Sequence, residues 1–153
     1  MTVARALLGK TLRVGDVSGV ICEVEAYLGV DDGAAHAARG ITERTKVIYG
    51  PPGRSYVYLI YGMHYCLNLI AEPDGTPGCV LIRGVTGVSG PGRLTRHFGI
   101  TQSLNATTVF EAASPIRVFD AGLRARRIEV TPRIGISKAV DWPLRFVAPG
   151  LLR

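Results

Sequence analysis

Cysteine is scarce in this 153-residue chain: Cys22, Cys66 and Cys79 make an odd set with no CxxC pair. Sulfur-ligated zinc sites and redox dithiols use close pairs, so neither is suggested, and the expected state is three reduced thiols. Lysine is just as rare. Lys10, Lys46 and Lys138 are the only three, against fifteen arginines, and they sit apart from the tyrosine-rich and glutamate-bearing segments, which weakens any Schiff-base scheme. There is no GxxxxGK[ST] phosphate loop and no HExxH, so neither a metal nor a cofactor is expected. The longest mostly apolar stretch, Tyr56 to Ala71, is interrupted by His64 and Asn68 and falls short of the ~20 residues of a membrane helix. Residues 1–10 carry Arg5 and only a brief apolar run, so no secretory signal is expected. Without one, the Asn105-Ala106-Thr107 acceptor triplet carries no meaning. The expected location is cytoplasmic for a bacterial protein, nuclear for a eukaryotic one, with no membrane association.

What is abundant is positive charge. Eighteen basic residues face twelve acidic ones, a net +6. The surplus is uneven: residues 1–76 hold seven basic and eight acidic residues, residues 77–153 eleven and four. Arginine's planar fork suits phosphate oxygens. A basic half beside a near-neutral half is the expected footprint of a polyanion with a less charged site nearby, although solubility charge explains composition equally well.

Length and 47% hydrophobic content predict one globular domain spanning residues 1–153. Val3 to Leu8 reads as a helix stopped at Gly9. Thr11–Val14, Val20–Tyr27, Arg54–Tyr61, Tyr65–Ile70 and Cys79–Arg83 read as strands. Val109, Ile116–Phe119, Ile128–Val130, Ile134–Ile136 and Leu144–Val147 are shorter strand candidates. Ala34 to Ala38 suits a short helix around His36, and Arg93 to Phe98 a second one after a glycine-rich connector, Gly84 to Gly92. Many short strands and few helices predict an α+β fold with a curved, mostly antiparallel sheet.

Strand parity supplies the first chemical hint. Glu23, Glu25 and Tyr27 share one face while Cys22, Val24 and Ala26 share the apolar other. Glu25 is the best general-base candidate, and Glu23 reads as a solvated carboxylate. Arg83, centred in an apolar strand, needs an acidic partner, and Glu23 and Glu25 are candidates. Five of six tyrosines fall between Tyr49 and Tyr65, which suits either base stacking or ordinary strand packing. His36 suits a ligand, a base or a simple hydrogen-bonder. Gly87 to Gly92 resembles a backbone cradle feeding a helix N-terminus, and a plain connector looks the same.

Six stretches together resemble the alkyladenine (3-methyladenine) DNA glycosylase family. They are Ala4-Arg-Ala-Leu-Leu-Gly-Lys10; Glu23-Val-Glu-Ala-Tyr-Leu-Gly29 with Ala35-His36; Gly53-Arg-Ser-Tyr-Val-Tyr-Leu-Ile-Tyr-Gly-Met-His-Tyr-Cys-Leu-Asn68; Val80-Leu-Ile-Arg83; Ser89-Gly-Pro-Gly-Arg-Leu94; and Pro132-Arg-Ile-Gly-Ile136 with Asp141-Trp-Pro-Leu-Arg-Phe146. They span nearly the whole chain in order. The resemblance implies a monofunctional enzyme that flips alkylated or deaminated purines from duplex DNA and hydrolyses the bond to the sugar, leaving an abasic site. It implies Glu25 as general base, with Arg83 and the backbone carbonyl of Ile134 holding the attacking water. Tyr27, His36 and Tyr58 would line and stack on the base. Asn68 would screen it by clashing with a guanine amino group, and Tyr61 would wedge into the vacated stack. Gly90, Gly92 and Arg93 are the expected phosphate contacts. The expected partner is double-stranded DNA bearing a damaged purine, and the expected state is a monomer. Two departures stand out: the connector after Arg83 is brief, and Thr42-Glu43-Arg44-Thr45 replaces the family's usual Thr-Pro-Arg-Asn. A non-catalytic nucleic-acid-binding module is the alternative from another class. A small-molecule nucleosidase is a third, disfavoured because a free nucleoside needs no phosphate track.

Overall fold

An eleven-residue strand, β2 (Val17–Tyr27), organises the molecule. The structure, a computed structural model, describes residues 1–152; Arg153, the last residue of the expected domain, lies outside them. Helix α1 (Thr2–Leu7) and strand β1 (Thr11–Val14) precede β2, and β1 pairs with its first four residues. Strands β3 (Ser55–Ile60), β4 (His64–Ile70) and β5 (Cys79–Val85) follow as an antiparallel run that joins β2 through β5. After β6 (Val88–Ser89) and helix α2 (Pro91–Phe98) come β7 (Ile116–Phe119) against β1, then β8 (Glu129–Thr131) and β9 (Arg145–Val147). Strand β9 pairs with Glu23–Glu25 of β2. The result is a curled antiparallel sheet with two α-helices among the described residues, the α+β class expected.

Two sheet faces have opposite characters because side chains alternate. On one, Val24, Ala26, Val57, Leu67, Leu69, Val80 and Ile82 form the main core with Ala4 and Leu7 of α1 and Leu94 and Phe98 of α2. Burying each valine, leucine, isoleucine or phenylalanine among them contributes roughly 1.5–3 kcal/mol. The other face carries the candidate chemistry and a smaller cluster of Ala37, Ile48, Tyr56, Ile70 and Cys79. Its roof is irregular chain, including the 3-10 turns His36–Arg39 and Lys46–Tyr49.

Several boundaries and elements differ from expectation. The connector after Arg83 is a tight hairpin: β6 pairs back onto β5 through Gly84↔Ser89 and Val85↔Val88. Val109 lies outside any strand; its neighbour Thr108 makes a single bridge to Arg54. Ile134–Ile136 is not a strand. Gly135 has φ 74°, a left-handed conformation that breaks extended pairing, and the Ile134 amide turns to a side chain instead. The register of β2 against β5 slips on both sides of Glu23. Such bulges re-aim side chains beside functional sites.

Candidate active site

The second sheet face is hollowed into a cavity of about 370 Å³. Its floor comes from alternate residues of four strands: Glu25 and Tyr27, Tyr56 and Tyr58, Cys66 and Asn68, Leu81 and Arg83. Its walls come from His36, Tyr61, Gly92 and Ile134. The structure therefore brings together Glu25, Arg83, Ile134, Tyr27, His36, Tyr58, Asn68, Tyr61 and Gly92. Arg93 is exposed one residue beyond the rim.

Glu25 is fully enclosed, at 0% exposure. The Tyr27 hydroxyl donates to Oε2 at 3.0 Å and the Ile134 amide donates to Oε1 at 2.8 Å. Arg83 Nη1 lies 3.4 Å from Oε1. A carboxylate offers about four acceptor positions. Two hydrogen bonds and the Arg83 ion pair hold the carboxylate where it lines the cavity. The Ile134 contact with Glu25 is made by its N–H. Burial, then the neighbouring Glu25, pushes the Tyr27 hydroxyl well above its ordinary range, so it stays a donor.

Glu23 is not a solvated carboxylate. It is 4% exposed, and its Oε1 accepts from Arg83 Nε at 3.0 Å and from Arg145 Nε at 2.7 Å. Parity suggested a shared face but not the Arg145 side chain that β9 brings onto Glu23.

The aromatic wall is tightly ordered. The His36 and Tyr58 rings lie 4.5 Å apart between centroids, and Tyr56 and Tyr58 lie 5.3 Å apart. His36 Nδ1 and the Tyr56 hydroxyl share a hydrogen bond of 2.9 Å. Burial, then Arg44 and Arg39, lowers the His36 pKa to about 4. The ring is therefore neutral near pH 7, and Nε2 is its remaining polar atom. Arg44 caps the stack, its guanidinium carbon 5.0 Å from the Tyr58 centroid. The altered Thr42–Thr45 segment forms a closed turn, each threonine's amide donating to the other's hydroxyl. Asn68 is buried on the floor; its amide donates to the Tyr56 carbonyl at 3.2 Å and accepts from the Cys79 thiol.

Tyr61 stands at the tip of the β3–β4 hairpin, 80% exposed with φ 53°. A bulky residue rarely adopts that conformation. At the other rim, Gly90 caps α2 with φ 98°, and its N–H donates to the Arg83 carbonyl at 2.9 Å. That amide is spent within the fold, so Gly90 serves the turn and has no N–H for a phosphate. Gly92 packs against His64, where a Cβ would come within 3.0 Å of the ring.

Two site-building residues escaped the sequence reading besides Tyr56. Arg133 and Asp32, both fully buried, form a two-pronged ion pair at 2.6 and 2.8 Å. Arg133 also donates to the Ala26 carbonyl and lies 4.6 Å from the Tyr27 ring centroid. This pair pins the segment that delivers the Ile134 amide to Glu25. Burial opposes ionisation of Asp32, but the Arg133 fork and the Leu28 and Ala34 amides hold its carboxyl below the ordinary value. A span of 101 residues separates the partners, so no local pattern announces them.

The profile of the family described as methylpurine-DNA glycosylase (MPG) matches residues 1–89 and 86–151. The chain belongs to the methylpurine-DNA glycosylase family. Among similar proteins, one from Ehrlichia chaffeensis is 45% identical over 99% of this chain and 88% of its own length. One from the Wolbachia of Brugia malayi is 46% identical over 95% and 89%, and one from Koribacter versatilis 42% identical over 97% and 84%. All three carry the name "Putative 3-methyladenine DNA glycosylase". Family members are hydrolases of N-glycosyl bonds in DNA. No helix among the described residues is long and apolar enough to cross a membrane.

Proposed function

We propose that this protein excises alkylated or deaminated purines, of the 3-methyladenine, hypoxanthine and ethenoadenine class, from duplex DNA. The target nucleotide swings out of the stack into the cavity, as it must for chemistry on a base. Tyr58, Tyr27 and His36 line the slot for the purine, and electron-rich rings favour a cationic alkylated base over a neutral one. Tyr61 occupies the gap left in the duplex. Asn68 faces the base and disfavours a guanine amino group. The proposed phosphate contacts are the Gly92 backbone and Arg93.

Glu25 then takes a proton from a water molecule whose oxygen bonds to the sugar C1′. The bond from C1′ to the purine nitrogen breaks, and its electron pair leaves with the base. The carboxylate also stabilises positive charge developing on the sugar. Arg83 and the Ile134 carbonyl hold the water, and the Ile134 amide holds the carboxylate in register with it. The products are a free purine and an abasic site in an uncut strand. Double-stranded DNA is the proposed partner and a monomer the proposed working unit.

The observation that carries this reading is Glu25: a carboxylate sealed from bulk solvent, held by two hydrogen bonds with Arg83 beside it, at the floor of an aromatic slot. A stacking module without catalysis needs no such group. The test is incubation with duplexes that each contain one defined lesion, followed by alkali. Strand cleavage at the lesion, absent before alkali, is the expected result. No cleavage across the whole panel, despite binding to an abasic-site duplex, would favour the non-catalytic alternative.

A further inference from the structure

Four charged side chains form a chain that starts on the cavity floor with Glu25 and Arg83 and runs on to Glu23 and Arg145. It ends where Arg145 Nη1 donates to Thr131 Oγ1 at 3.0 Å. The spacing along it is unequal. Arg83 Nε meets Glu23 at 3.0 Å, and Arg145 Nε meets the same oxygen at 2.7 Å. Arg83 stands 3.4 Å from Glu25, longer than the ~2.7–2.9 Å of a charge-assisted hydrogen bond. The guanidinium is thus anchored on Glu23 and only leans toward Glu25. A closed Arg83–Glu25 pair would draw the carboxylate's charge away from a water and make it a poorer base.

We propose that Glu23 is a positioning residue which, balanced by Arg145, tethers Arg83 so that it orients Glu25 without closing on it. This rests on the reading of Glu25 as general base and deepens it. The β2 bulge at Glu23 and the pairing of β9 with Glu23–Glu25 are the backbone features that assemble the tether. The cluster holds two charges of each sign, which suits a buried site better than an odd count. The titratable and charged groups facing Glu25 are Arg83 on β5, Tyr27 and Glu23 on β2, and Cys66 on β4.

Opposite substitutions then shift the acid limb of the excision rate in opposite directions. Glu23→Gln removes a negative charge and frees Arg83 to close on Glu25, so Glu25 binds its proton less tightly. The acid limb moves to lower pH, by on the order of one pH unit, and the plateau rate falls about tenfold or more. Arg145→Met removes a positive charge, and the limb moves to higher pH. Arg145→Lys keeps that charge and restores the parental limb. Binding to an abasic-site duplex stays within about twofold in all three, because none touches the slot. A packing defect alone would lower rates without moving the limb in two directions.

The experiment is single-turnover base release against pH for the parent, these three variants and Glu25→Gln. Should Glu23→Gln not fold, the upward shift in Arg145→Met and its rescue by Arg145→Lys still decide. Unmoved limbs with Glu25→Gln inactive would overturn the tether and leave the general base standing. Glu25→Gln active at the parental rate would remove the general-base reading itself.

Discussion

Tyr61 shows what a single residue can reveal when its backbone conflicts with its side chain. An 80% exposed tyrosine at φ 53° gains little from burial and sits in a conformation that suits glycine. Tyr61→Gly should therefore raise stability by about 1 kcal/mol in urea unfolding. It should also weaken binding to an abasic-site duplex more than to undamaged DNA. Equal losses on both duplexes would remove the wedge role. His36 makes a second residue-level prediction. Its folded pKa of about 4 lies below the ordinary 6.5. Between those values the unfolded chain takes up a proton that the folded ring refuses, so stability falls as pH drops through this window. His36→Gln cannot titrate there and should lose less stability between pH 7 and pH 4.5, measured as urea midpoints. Identical losses in both proteins would contradict the burial argument. At this scale strand parity made Glu25 and Tyr27 legible. It misjudged Glu23, because alternation cannot tell a face open to water from one that meets an arginine more than a hundred positions later.

Elements were legible where periodicity was strong and local. Thr11–Val14 and Ile116–Phe119 fall where the pattern puts them, and the ends of the other main strands move by a few residues. The glycine-rich connector was harder, since a tight hairpin and a loose linker share composition. The 132–136 segment misled more seriously. Its isoleucines look like strand but serve as a cavity wall, with Ile134 49% exposed. What holds this segment is the Asp32–Arg133 pair, which no spacing rule exposes. Breaking one side of such a buried pair costs about 3–5 kcal/mol. Asp32→Asn should lower stability by that order in chemical denaturation. It should also slow base release by loosening the Ile134 amide from Glu25. Release at the parental rate by a folded Asp32→Asn protein would show that the segment needs no clamp.

Across the whole molecule, the charge asymmetry of the sequence is partly an internal affair. Arg83, Arg133 and Arg145 from the second half are spent on Glu23, Glu25 and Asp32 from the first. Setting those six aside, the first half keeps seven basic against five acidic residues and the second eight against four. The surplus therefore spreads over both halves. The sequence showed its size but not its distribution, because ion pairs across the sheet join distant segments. Exposed Arg39, Arg44, Arg93 and Arg96 are among the cations left for a polyanion. Binding to duplex DNA should weaken steeply with salt, and Arg93→Ala should reduce the slope of log affinity against log salt by about one. A slope unchanged in Arg93→Ala would take that arginine out of the phosphate contacts.

The most direct test is base release by Glu25→Gln under single-turnover conditions on a duplex that the parent protein processes. The substitution keeps the shape of the side chain and removes its ability to accept the water's proton. The expected outcome is tight binding to an abasic-site duplex with release slowed by a factor on the order of 10²–10⁴. Release at the parental rate would contradict the account at its root, since water would then be reaching the sugar without help from this carboxylate.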